Sequence, residues 1–469
     1  MNCLMNLTRR LAFALFLVPS VGSSAQTFTT LVKFNDSSSV FSSLIQARDG
    51  NLYGSSENGG VGGLGSVFRV TPSGSLTTIY SFCSKASCAD GAFPASALAL
   101  GTDGNLYGTT GGGGNGNAGT VFRLSTTGTL VVLNNFQGSD GSFPNGGLTL
   151  VSDGNFYGTT PLGGADDGGV VFRINPKGTL TTLYSFCAQV SCADGAAPLA
   201  GLIQGGDGFL YGTTSGGGNN PFECSLNGGC GTVFKLTLGG KFSSLHSFNF
   251  TDGEAPFGPL TLASGGAFYG TTFEGGNANS HGCSGGCGTI FKVTAQGAFA
   301  TVHKFRYSDG GNPESGLILG SDGVLYGESI DAGDGNIYKL TLPRDIETLY
   351  NFTPASEGGG TTAMVQATDG KFYGTYGVPG AVFSLDTGLA PFVAFVIPTG
   401  KVGQKAQILG QGLTGTTSVT FNGVPATSFS VVSDTYMTAV VPSGATTGSV
   451  VVTTPSGTLT SNLSFRISK

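Results

Sequence analysis

The stretch that decides the fold is Asp103–Thr110, "DGNLYGTT". An Asp-Gly pair followed by alternating apolar and small polar residues reads as a tight reversal feeding a β-strand, because Gly tolerates positive φ and Asp bonds nearby amides. Near copies begin at Asp49, Asp153, Asp207, Gly265, Asp322 and Asp369, seven in all and 47 to 58 residues apart. Each is followed by a second apolar run, as in "GTVFRL" from Gly119. A third, alternating run such as "LTTLYSF" from Leu180 follows only six of the seven. The missing copy stands at the front of the chain, "FTTLVKF", from Phe28 to Phe34.

Self-similarity at a fixed period near 50 residues identifies a repeat architecture. An apolar run precedes each Asp-Gly turn, so each unit reads as four antiparallel strands, A to D, which is the blade of a β-propeller. Apolar residues on both faces of strands B and C require each blade to pack against two neighbours. The reading is an all-β chain: a seven-bladed β-propeller closed by its N-terminal strand, followed by a small immunoglobulin-like β-sandwich. Composition agrees, since 82 glycines and only 10 % charged residues disfavour long helices. The units resemble the Gloeobacter/Verrucomicrobia (GloVer) tandem repeat through DGNLYGTT, GTVFRL and LTTLYSF in fixed order over residues 28 to 385. That resemblance implies an exported propeller with no assigned activity.

After Leu385 the period stops. The expected divisions are a leader over 1–25, the propeller over 26–386, a linker over 387–391 and a second domain over 392–469. In the last segment, Gly403, Gly410, Gly412, Val419–Gly423, Val441-Pro442 and Gly448 resemble the IPT/TIG immunoglobulin-like domain. The resemblance implies a spacer or interaction module.

The chain begins with Arg9-Arg10, an apolar run from Leu11 to Val21 and small residues to Ala25, the pattern of a cleaved secretory leader. No later apolar run is long enough to span a bilayer as a helix. A secreted, periplasmic or cell-surface bacterial protein without a membrane span, and a monomer, is expected. In an oxidising compartment the close cysteine pairs Cys83/Cys88, Cys187/Cys192, Cys224/Cys230 and Cys283/Cys287 read as four local disulfides. The net charge of −6, with no clustered Lys or Arg, argues against nucleic acid.

A propeller places its A–B and C–D turns on one face and its B–C loops and D–A crossings on the other. Here the first set is uniform and the second varies, and function concentrates on variable loops. Candidate ligand-binding residues are therefore Asp90, Asp140, Asp194, Asp252 and Asp309 in the crossings, with Phe222, Glu223, Glu274 and Asp334 in B–C loops. The crossing aspartates could ring the channel mouth; the competing reading makes them turn caps. His281 with Cys283 and Cys287 gives too few ligands for structural zinc, so no metal is expected, and no cofactor. The leading expectation is a non-enzymatic protein that binds a polysaccharide or an extracellular protein. The alternative is a polysaccharide hydrolase or lyase using two loop carboxylates across a glycosidic bond.

Overall fold

The computed structural model describes residues 26–468, apart from 35–41, 95, 220–223, 225–227, 278–282, 284, 331–334, 343–344, 354–363 and 378–379. The chain is all-β and propeller-like. Among the described residues of the repeat region there are seven four-stranded antiparallel sheets. The second is representative: strand A, Ala99–Leu100; B, Leu106–Thr110; C, Thr120–Leu124; D, Leu130–Asn135. The A strands are shorter than the apolar runs suggest, with only two residues in ladder pairing, because the innermost strands converge where neighbouring sheets crowd one another. The last sheet takes its outer strand from the front of the chain: Thr27–Lys33 pairs antiparallel with Ala381–Asp386, Thr27 opposite Asp386.

Each motif residue has a local cause. Asp103 Oδ1 accepts the Asn105 amide at 3.1 Å and Oδ2 accepts the Tyr107 hydroxyl at 2.9 Å, so one carboxylate ties the turn to its strand. The same Asp–Tyr bond recurs at Asp49, Asp153, Asp207, Asp322 and Asp369. Burial first, then Asp103, push the Tyr107 hydroxyl up to about 12, so it stays a donor. Gly108 lies under the Phe122 ring: a Cβ there would come within 2.6 Å of Phe122 Cζ and 2.8 Å of Leu98 Cδ2.

The core lies between sheets. Tyr107 of the second sheet stacks on Phe156 of the third, centroids 4.1 Å apart, and Tyr211 stacks on Phe268 at 4.0 Å. One apolar cluster joins the last sheet to the first through Phe34, Leu44, Phe68, Tyr373 and Val382.

Beyond Asp386 two further four-stranded sheets face each other across a core that includes Ile408, Met437, Val419, Phe421 and Val452. This sandwich docks on the A–B turns. The Thr435 hydroxyl donates to the Arg48 carbonyl at 2.7 Å, and the Arg48 guanidinium lies 4.5 Å from the Tyr436 ring centre. Gln407 Nε2 donates to the Thr102 carbonyl at 2.9 Å, Gln411 Nε2 to Thr368 Oγ1 at 3.3 Å, and Arg466 Nη1 to the Gly205 carbonyl at 2.8 Å. These partners belong to the first, second, seventh and fourth sheets, so the sandwich reaches across the turn face.

Candidate functional site: an axial cavity and its loop face

The starts of the A strands from six of the seven sheets surround a cavity of about 380 Å³. The residues around it include Ser42, Ser96, Asn145, Thr149, Glu314 and Ser315, with Leu148, Leu202 and Phe257 on the apolar side. Some of these side chains tie a crossing to strand B of its own sheet. Ser42 Oγ donates to the Ser55 carbonyl at 2.8 Å, and Ser96 Oγ and Thr109 Oγ1 share a hydrogen bond of 2.7 Å. Ser315 Oγ is sealed from solvent and has no hydrogen-bond partner among the described residues. Close approach around the axis depends on small residues: a Cβ on Gly147 would touch Ala97, and one on Gly201 would lie 3.1 Å from the Gly147 carbonyl oxygen. Glu314 is exposed, and desolvation by the neighbouring protein raises its carboxyl above the usual value.

The crossing aspartates lie at the rim, against the outer strands. Asp90 is fully buried and accepts the Tyr80 hydroxyl at 2.7 Å, the Ser84 hydroxyl at 2.7 Å and the amides of Ser84 and Lys85. Burial pushes its carboxyl up, but those hydrogen bonds outweigh burial and hold it below the ordinary range. Asp194 is likewise buried and bonded to Tyr184 and the amides of Ala188 and Gln189. Asp140 accepts the Gln137 amide at 2.7 Å. Asp252 faces His246 at 3.1 Å and Asp309 faces His303 at 2.9 Å, each also accepting a crossing amide. All five cap crossings in this geometry, and none lines the cavity.

Glu274 has a partner that motif reading misses. The crossing and the B–C loop form a short antiparallel bridge in four sheets: Ala92 with Gly112, Ser142 with Leu162, Ala196 with Gly216, and Glu254 with Glu274. Only the last opposes two carboxylates. Burial, and then the Glu254 charge, raise the Glu274 carboxyl. Aligning the repeat copies marks Glu254 as the one acidic residue two after a crossing Asp, but its opposition to Glu274 comes only from the bridge. Phe222, Glu223, Asp334 and His281 lie outside the described residues.

The four disulfides pair neighbours. Cys83–Cys88 and Cys187–Cys192 staple D–A crossings, while Cys224–Cys230 and Cys283–Cys287 staple B–C loops. Phe93 and Phe143, at φ +58° and +56°, are held by their amides donating to Leu64 and Ala118 of the preceding sheet. They stand 37 % and 44 % exposed on the loop face, an unusual setting for bulky side chains in a strained conformation. Among the described residues no group of three His, Cys, Asp or Glu is placed to hold a metal, and no helix is long and apolar enough to cross a membrane.

The Gloeobacter/Verrucomicrobia repeat model matches residues 17–224 and again 222–429. Among solved structures, virginiamycin B lyase from Staphylococcus aureus is similar at 15 % identity and a TM-score of 0.53, covering 77 % of this chain and 99 % of that one. The extracellular domain of a Bacteroides thetaiotaomicron hybrid two-component system protein gives 12 % identity and a TM-score of 0.49, covering 94 % and 57 %. A Xanthomonas campestris gluconolactonase gives 14 % and 0.38, covering 61 % and 84 %. Identities this low speak to fold alone. No curated protein matches the chain.

Proposed function

The chain belongs to the Gloeobacter/Verrucomicrobia repeat family, and from that premise we propose an exported, non-enzymatic binding protein that holds a polysaccharide on its loop face. In this reading residues 26–386 form a closed seven-bladed propeller and residues 392–469 an IPT/TIG-type immunoglobulin-like sandwich. Pairing of Thr27–Lys33 with Ala381–Asp386, and the shared core of first and last sheets, support closure.

The observation that carries the binding reading is the asymmetry of the two faces. The uniform turn face is occupied by the sandwich through Arg48, Thr102, Gly205 and Thr368. The opposite face has the variable loops, two of them disulfide-stapled, exposed Phe93 and Phe143, and the cavity. Ordering a Gly-rich loop costs roughly 1–2 kcal/mol per residue in backbone entropy, so stapling lowers the cost of presenting one to a ligand. The test is a glycan array probed with the full chain. Replacing residues 214–230 or 274–287 with short Gly-Ser turns should abolish any binding found while leaving the melting temperature within a few degrees. Unchanged binding in both replacements overturns the assignment to this face.

A second reading, a polysaccharide-active enzyme, is favoured by the Glu254–Glu274 pair, because opposed carboxylates with one raised value suit acid–base work. Glycan turnover by the purified chain, lost in Glu274→Ala, would put this reading first.

A further inference from the structure

The sandwich and the cavity occupy opposite ends of one axis, and together they limit what the cavity can admit. Sandwich contacts reach the first, second and seventh sheets on one side of the axis, through Arg48, Thr102 and Thr368, and the fourth on the other, through Gly205. The cavity lies where the D–A crossings lead into the A strands, at the loop-face end. A polymer could not thread the axis from face to face while the sandwich stays docked.

The cavity wall is suited to one kind of guest. Its volume of about 380 Å³ falls in the range of small-molecule sites, roughly 300–1,000 Å³. Glu314 is the only ionisable residue in its wall among the described residues. The neighbouring Ser315 lines the wall without offering its hydroxyl, which is sealed from solvent. Phe257 and Leu202 supply an apolar flank. A carboxyl that accepts from adjacent hydroxyls and an aromatic surface for C–H groups match a neutral sugar ring.

We propose that the cavity is a blind pocket that captures the terminal sugar unit of a neutral glycan, with Glu314 bonding its hydroxyls and Phe257 packing on its ring. The protein then reads chain ends rather than chain interiors. This inference rests on the loop-face reading above.

The experiment is calorimetric titration of the full chain with cellohexaose, maltohexaose and chitohexaose, each with free ends and with both ends carrying a bulky blocking group. At least one free-ended hexamer should bind, and blocking should weaken it tenfold or more. Glu314→Gln and, separately, Ser43→Trp at the cavity wall should each weaken the free-ended form by a similar factor at an unchanged melting temperature. Blocked hexamers binding as well as free ones, or both variants binding as the parent does, overturns chain-end capture and leaves loop-face binding standing. Binding of none of the hexamers, in a protein that does bind polysaccharide on the array, likewise overturns the pocket alone. No glycan binding in either assay overturns both readings.

Discussion

At the scale of single residues, the carboxylates divide into those the fold satisfies and those it strains. Asp90 and Asp309 belong to the first kind, their carboxyls held low by hydrogen bonds that outweigh the cost of burial. A folded value below the unfolded one gives stability that is present above about pH 4 and lost as pH falls through the lowered value. Asp90→Asn should therefore lower the urea midpoint at pH 7, by the equivalent of about 1–3 kcal/mol, and differ less from the parent near pH 2. Glu274 is of the second kind. Its value is raised, so the parent loses stability as pH rises from the ordinary carboxylate range through the raised value. Glu274→Gln should be more stable than the parent at pH 7 by up to about 1 kcal/mol, and the gain should vanish at pH 4; thermal melts at the two pH values decide this. The Asp-Gly turns and their role were legible in the sequence because each completes its bonds within four residues, as Asp103 does with Asn105 and Tyr107. Opposition of Glu254 and Glu274 was not, since it depends on a bridge between a crossing and a loop twenty residues on.

At the scale of elements, strand B is constrained by what lies over it. Gly108→Ala would drive a methyl into Phe122 and Leu98, and overpacking of this kind costs about 1–3 kcal/mol, readable as a fall in melting temperature. The N-terminal strand is a second case. Phe28 stacks on Tyr350 at 3.8 Å and lies 5.0 Å from Phe383, joining the last two sheets. Deleting residues 26–34 strips Ala381–Asp386 of its outer partner and leaves an open edge; size-exclusion chromatography should show larger species or aggregate relative to the parent. The missing seventh D-type motif and its copy at Phe28 made this pairing readable in advance. Local cysteine spacing did the same for the disulfides, since pairs four to six residues apart form within one loop.

At the scale of the whole molecule, the cavity and the docked sandwich were beyond reach of motif reading. Ser42, Ser96, Asn145 and Glu314 are each unremarkable in their own repeats, and only the arrangement of sheets about one axis gathers them. Sandwich docking rests on Arg48, Gln407, Thr435 and Tyr436, which no periodicity singles out. Arg48→Ala should loosen this contact, raising hydrogen exchange in Gln407–Tyr436 while leaving the repeat core protected. The pairing of Thr27 with Asp386 also has a consequence in time. A strand synthesised ahead of all the sheets it must close finds its neighbour last, after more than three hundred intervening residues have arrived. Contacts of such long sequence separation slow folding, and until that strand docks the nascent sheets keep an open seam. The chain is thus most vulnerable to misassembly late in its biogenesis, and a refolding trace should end in a slow phase that moving residues 26–34 to follow residue 386 removes.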